Sequence, residues 1–183
     1  GGWDYDISST WGEDDSTLNA NNTLNPSWGP TSPTSFNLAS QIFDQWTNNL
    51  DLTRAFDTGL FEKPLNVSTG LEFRREGFEI QSGELASYGD GGYVFPVGSP
   101  LAGQRPNPGA PGLTGFTPAD AHNYSRTNTA GYVDFSQSLT DKWDASVAGR
   151  FEHYSDFGDT ASGKLSTRYA FTPQFAMRGT VSN

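Results

Sequence analysis

No cysteine occurs among the 183 residues. Disulfides, thiolate metal sites and thiol catalysis are excluded, and the redox compartment stays open. Basic residues are scarce, 11 Lys and Arg against 21 Asp and Glu, for a net charge of −10. That balance argues against nucleic-acid binding, which needs a basic footprint. Hydrophobic residues reach 34% and charged residues 17%, both short of the ~45–50% and ~25% of soluble domains. A helical bundle would need more Leu, Ala, Glu and Lys. No apolar run approaches the ~20 residues of a membrane-spanning helix. An initiator Met and a signal segment are also missing, and both ends read as cut, so a fragment is expected. What is abundant is aromatic: 13 Phe, 7 Tyr and 5 Trp, too many for a solvated, disordered chain. With 21 Gly, the composition points to an all-β protein with polar faces.

Period-2 alternation is the dominant pattern. From Trp143 to Ser155, Trp143, Ala145, Val147, Gly149, Phe151 and His153 alternate with Asp144, Ser146, Ala148, Arg150, Glu152 and Tyr154. Residues 131–139, 164–171 and 175–182 repeat the pattern, with mainly apolar odd positions, and within 65–80 Leu65, Val67, Thr69, Leu71 and Phe73 stand against Asn66, Ser68, Glu72, Arg74 and Glu76. Weaker strand candidates cover 42–54 and 3–11. The reading is an antiparallel up-and-down meander of about seven long strands. Tight turns are expected at 140–142 and 172–174, as three-residue loops that pair Leu139 with Trp143 and Phe171 with Phe175. A two-residue loop would pair odd with even positions and mix the faces. These turns and the one at 57–63 fall on one edge. The other edge takes residues 12–40, the Gly/Pro-rich 82–126 and a short turn at Gly158-Asp159. A connection as long as 82–126 is usually functional.

A soluble sandwich also alternates, with its apolar face inward. Three features favour lipid on that face. The strands exceed the five or six residues of globular strands and suit the ~9–11 needed to cross a membrane. Trp143, Phe171 and Phe175 gather on the apolar face beside the short turns, like one interfacial girdle. The loops are short on one edge and long on the other, as in outer-membrane barrels. The charged face then lines a lumen with Glu72, Arg74, Glu76, Arg150, Glu152, Lys164, Arg168 and Arg178. Arg168 is expected opposite Arg178, a repulsive pair, with Glu152 as the partial neutraliser. Single-chain bacterial barrels use even strand numbers, so seven strands read as an arc of a larger transmembrane barrel.

Two segments carry a family likeness. One is Pro64 to Glu84, PLNVSTGLEFRREGFEIQSGE, with Gly70, Glu72 and Arg74 at its core. The other runs from Ala130 to Asn183 around Arg150, Glu152, Tyr154, Asp156, Phe157 and Gly158. Together they resemble the TonB-dependent receptors of Gram-negative outer membranes. The resemblance implies that 1–183 is part of a receptor β-barrel of ~22 strands with a plugged lumen, without the plug domain and the C-terminal strands. It implies 82–126 as a long extracellular loop, and import of a ferric siderophore, haem, cobalamin or oligosaccharide. The implied partners are outer-membrane lipid, the plug, through it TonB, and the nutrient. No ligand residue of the family carries over, because the loops match in character only. The alternative is a soluble secreted β-sandwich that binds carbohydrate.

Other chemistry is weakly supported. Gly158 to Leu165, GDTASGKL, nearly matches a phosphate-binding loop, but Leu165 replaces the hydroxyl and an alternating strand follows where a helix is required. Glu72/Glu76 and Glu152/Asp156 have basic neighbours and read as ion pairs rather than as a glycosidase pair. His122 reads as a loop residue and His153 as an interfacial one, neither with a metal-ligand partner. Glu13-Asp14-Asp15 and Asp90-Gly91-Gly92 read as solvated turns. No catalytic set, metal site or cofactor is expected. The candidate ligand-binding residues are Tyr88, Tyr93, Phe95, Arg105, Phe116 and Tyr124, aromatic faces and one cation suited to sugar rings or planar chelators.

Overall fold

Consecutive strands that alternate and return through tight turns pair with their chain neighbours. The computed structural model, which describes residues 2–183, has that topology: one antiparallel sheet in the order β1 to β7. The strands are β1 (Asp4–Asn21), β2 (Ser35–Phe56), β3 (Leu65–Ser82), β4 (His122–Thr140), β5 (Trp143–Tyr154), β6 (Gly158–Thr172) and β7 (Phe175–Ser182). A 3₁₀ turn at Pro26–Thr31 and one helical turn, α1 (Leu85–Tyr88), are the only helical segments among the described residues. Among the described residues there is one sheet and no second one to pack on it, which removes the sandwich alternative.

The structure corrects several boundaries. Residues 12–21 and 35–40, expected as loop, continue β1 and β2, so the first long connection shrinks to 22–34. Their alternation is hidden because β1 carries Gly, Asp, Ser and Asn on both faces. The 82–126 connection narrows to 83–121, and His122, Tyr124 and Arg126 belong to β4. The turn placed at Gly158-Asp159 is 155–157, and Gly158 opens β6 with φ +93°.

The tight turns differ in an instructive way. Thr140 pairs with Trp143 and Thr172 with Phe175, so each loop has two residues, not three. Such a loop does set an even position opposite an odd one. A bulge at Leu139 and another at Phe171 absorb the mismatch, and beyond them Ser138 pairs with Asp144 and Ala170 with Ala176. Bulges of this kind add one residue to one strand and restore the pleat. The hydroxyls of Thr140 and Thr172 accept from the turn amides of Lys142 and Phe175, at 3.3 and 3.0 Å. Apolar and polar faces therefore stay separate, as the alternation requires.

By contacts the chain divides into two compact units. One comprises residues 1–11, 45–76 and 126–183, the other 12–44 and 77–125. The first is mainly sheet. Its odd face on β5–β7 is apolar and bare: Val147, Phe151, Leu165, Met177 and Val181 each keep half or more of their surface exposed. The buried core lies in the second unit, where Phe36, Leu38 and Ala110 pack together with Ala20 and Ala86.

Candidate functional site

In the second unit, the two long connections fold on each other around Asn25. Its Nδ2 donates to the carbonyls of Ala86 and Gly89, both at 2.9 Å. Its Oδ1 accepts from Ser27 N at 3.1 Å, Ser27 Oγ at 2.7 Å and Gly109 N at 3.0 Å. Asn25 is fully buried and uses both donors and its carbonyl. Connections have no ladder to satisfy their backbone, so a side chain supplies the partners. Sequence reading missed this residue, although an Asn immediately before Pro26, at the start of a 3₁₀ turn, is a recognisable cap.

This frame positions several candidate ligand residues. Tyr93 N donates to Ser27 O at 2.8 Å, and its ring lies against Gly29. Gly29 has φ +54°, and a Cβ there would collide with that ring, so both the backbone and the space require glycine. Tyr93 meets Phe95 edge to face at 5.5 Å. Phe95 in turn exchanges backbone bonds with Gly103 and Gln104, next to exposed Arg105. Phe116 N donates to Leu38 O at 2.8 Å, which ties it to the end of β2. Tyr88 closes α1 and is half-buried. Tyr124 is placed differently: it is exposed on β4, 5.6 Å from the His122 ring. Four of the six candidates are thus half-buried in the folded connections, Arg105 is exposed there, and Tyr124 stands on a strand.

In the first unit, charged side chains of β3, β4 and β5 meet in a series of ion pairs. Arg150 Nη2 lies 3.3 Å from Glu72 Oε2 and 3.0 Å from Glu152 Oε1. Arg74 Nε sits 3.8 Å from Glu72 and 3.9 Å from Glu76. Glu76 pairs with Arg126, whose guanidinium also reaches Asp156 at 3.7 Å and lies over the Tyr154 ring. Four carboxylates and three guanidiniums thus form one ladder across β3, β4 and β5. The carboxylate pairs Glu72/Glu76 and Glu152/Asp156 are held in these ion pairs. Across β3, Tyr132 of β4 donates its hydroxyl to Asp51 of β2, at 2.6 Å. The ring passes over Gly70 of β3, where a Cβ would meet Tyr132, Asp51 and, at 2.8 Å, Leu50 O. Gly70 therefore clears the path for the tyrosine, Glu72 pairs with Arg150 of β5, and Arg74 lies between Glu72 and Glu76 of its own strand.

Arg168 does stand opposite Arg178. The expected neutraliser is corrected: Glu152 faces Thr160 and bonds Arg150, while Asp144 of β5 faces Arg168 and lies 3.3 Å from it. The register decides this, and sequence alone leaves the register between β5 and β6 open. Lys164 lies on the same face, opposite Ala148 and Ser182.

At the short-turn edge, Phe171 and Phe175 are 5.6 Å apart, and Trp143 donates through Nε1 to Thr167 Oγ1 at 2.7 Å. The aromatic cluster is wider than expected. Trp3 meets Phe56 edge to face at 5.8 Å, and Arg54 lies over both rings. Those residues flank the 57–64 turn on the same edge. His153 is not solitary, since its Nδ1 contacts Asp159 Oδ1 across the β5–β6 hairpin. Gly158 to Leu165 is strand, so it forms no phosphate loop. Among the described residues no three His, Asp or Glu side chains are placed to hold a metal.

Long sequential antiparallel strands with one bare apolar face and one charged face define an arc of a membrane β-barrel wall. The family model described as TonB dependent receptor-like, beta-barrel matches residues 1–183, and the chain belongs to that family. Its members are outer-membrane receptors that act in transport, not enzymes. None of the curated proteins compared matches the chain.

Proposed function

We propose that this chain is one arc of the wall of a receptor that captures a scarce nutrient outside a Gram-negative cell and imports it. In this reading the odd face of β5–β7 meets lipid, and the even face lines the aqueous interior with its plug. The connections 22–34 and 83–121 stand on the extracellular side. The observation that carries the reading is the folded state of these connections. Asn25 satisfies five polar groups from segments far apart in sequence, which pre-orders the surface that carries Tyr88, Tyr93, Phe95, Arg105 and Phe116. Ordering before binding avoids the entropic cost of fixing a mobile loop around a ligand. Aromatic faces beside one guanidinium suit a planar chelate or a sugar better than a bare ion.

The test is uptake by cells that carry the full-length receptor as their sole transporter of this type. Radiolabelled ferric siderophore, haem, cobalamin and oligosaccharide are offered separately. Accumulation of one of them should depend on TonB and fall about tenfold or more with Tyr93→Ala and Phe95→Ala together, because each buried stacking contact contributes about 0.5–1.5 kcal/mol. Equal accumulation in cells without the receptor would reject an import role for these compounds.

A further inference from the structure

On the charged face, β3 to β5 and β5 to β7 are balanced differently. In the ladder every guanidinium has a carboxylate: Arg74, Arg126 and Arg150 share Glu72, Glu76, Glu152 and Asp156. On β5 to β7 three cations, Lys164, Arg168 and Arg178, share the single carboxylate of Asp144. Asp144 is committed to Arg168 and also accepts from Ser138 Oγ at 2.7 Å. Among the described residues Lys164 and Arg178 have neither an ion pair nor a hydrogen bond. Arg178 is also the direct cross-strand partner of Arg168, an arrangement that destabilises a sheet when nothing neutralises it. The three cations border a cavity of about 370 Å³, together with Ser136, Ser146, Ser166 and Thr180. Ser166 Oγ and Thr180 Oγ1 are 3.1 Å apart and stand beside the arginine pair, one residue pair further along the hairpin on this face.

We propose that this cavity is an oxyanion site, in which Arg178 and Lys164 bind a carboxylate- or phosphate-type group and the hydroxyl of the Ser166–Thr180 pair whose proton is not used in their mutual bond donates to it. Guanidiniums form forked, charge-assisted hydrogen bonds with such groups, and hydroxyls complete their coordination. Asp144 lines the same cavity and pairs with Arg168, which leaves three cations against one carboxylate there. The rest of this acidic chain repels anions, which makes a local excess of two positive charges a selective feature. The group comes either from a small anion in the aqueous interior or from an acidic side chain of a protein segment seated against the wall. The inference rests on the reading above only in taking this face as water-filled.

The test uses the full-length receptor in detergent, with inorganic phosphate as the probe and thermal unfolding and equilibrium dialysis as readouts. An empty site and a filled one predict opposite signs. If nothing binds, Arg178→Gln removes a like-charge clash, and Tm rises or stays level in every buffer. If an oxyanion binds, Arg178→Gln lowers Tm and Arg178→Lys largely restores it. A free anion shows as a Tm rise on adding phosphate to the wild type, with phosphate affinity reduced about tenfold or more in Arg178→Gln. A tethered acidic side chain shows as a lower Tm of Arg178→Gln in phosphate-free buffer, with phosphate having no effect. Both outcomes support the site and identify its source. A level or raised Tm for Arg178→Gln, with no phosphate bound by the wild type, overturns it. The water-filled face is checked separately. A thiol at Ser162→Cys should react with a water-soluble maleimide, and one at Val147→Cys should not.

Discussion

The folded connections and the charged sheet face solve the same problem with opposite chemistry. Around Asn25, polar groups are buried, neutral and fully paired, and every bond goes to a backbone group or a neighbouring serine. On the sheet, the ladder from Glu152 through Arg150, Glu72, Arg74 and Glu76 to Arg126 and Asp156 stays half-buried or exposed, and its members pair with one another. The difference follows from the backbone. Strands satisfy their amides in the ladder of the sheet, which leaves side chains free to carry charge. Connections have no such partners, so a side chain must supply them. Burial then favours a neutral amide over a carboxylate, because an uncompensated buried charge costs far more. One region is therefore set by desolvation and the other by screened charge, and perturbations should separate them.

The largest separation is expected from Asn25→Ala. It leaves the carbonyl of Ala86 and the amides of Ser27 and Gly109 without their partner in a buried site, while the Gly89 carbonyl keeps Ser27 Oγ and Trp28 Nε1, both at 3.2 Å. Each unpaired buried group costs about 1–3 kcal/mol, and relaxation with water entry recovers part of it. We expect local stability of the connections to fall by about 3 kcal/mol. Amide exchange at Ser27 and Gly109 should speed up about a hundredfold, and proteases should cut within 83–121. Amides in β5 and β6 should hold their rates. If those amides loosen equally, the two regions are one cooperative unit and the contrast fails.

A smaller and opposite pattern is expected from Arg150→Gln. The change removes the cation between Glu72 and Glu152, at 3.3 and 3.0 Å, and sets two carboxylates near each other without a bridge. Partly exposed ion pairs contribute up to about 1 kcal/mol, more in a network than alone. The loss should appear in denaturant or thermal unfolding at low ionic strength and shrink in concentrated salt, which screens the repulsion. The Asn25 variant should show no such salt dependence, because its lost bonds carry no net charge. A salt-independent loss for Arg150→Gln would mean that packing, not charge, holds the sheet face.

Much of the wall was legible from alternation alone, since residues 65–73 of β3 and most of β5 to β7 keep a two-residue period in which the odd side chains are mainly apolar. The arginine pair Arg168 and Arg178 followed from hairpin parity, even though the turn proved to be two residues plus a bulge. Parity survives a compensated error of one residue. What could not be read was register between strands, and hence that Asp144 rather than Glu152 would face Arg168. Residues 12–21 of β1 and 35–40 of β2 were also hidden, and along β1 polar residues on both faces erase the pattern while the backbone still pairs. The connections were least legible. Asn25 binds groups at positions 86, 89 and 109, and no local rule links those positions. The family-like motifs fared better, since Gly70 meets Tyr132 and Glu72 meets Arg150 in space.

The smallest effect concerns a place in the connections where a carboxylate takes the part that neutral groups play around Asn25. Asp120 Oδ2 accepts from Thr117 Oγ1 at 2.7 Å and from Thr117 N at 2.8 Å. The hydroxyl bond first, and the amide bond after it, hold the Asp120 carboxyl below its ordinary value of 3.8. A carboxylate whose pKa is lower in the folded chain than in the unfolded one adds stability above the unfolded value. That contribution is lost as pH falls through the folded value. The turn at 117–120 should therefore be unaffected at neutral pH and release only below pH 3.8. The Thr117 amide resonance is the probe: it should move with pH in that acid range in the wild type and stay flat in Asp120→Asn. The amides of Ser27 and Gly109, bound to neutral Asn25, should not follow it. If all three titrate together, the connections depend on a shared charge and the distinction between the regions is lost. If Thr117 alone titrates, acid opens one exposed turn while the asparagine-centred frame that positions Tyr93 and Phe95 remains closed.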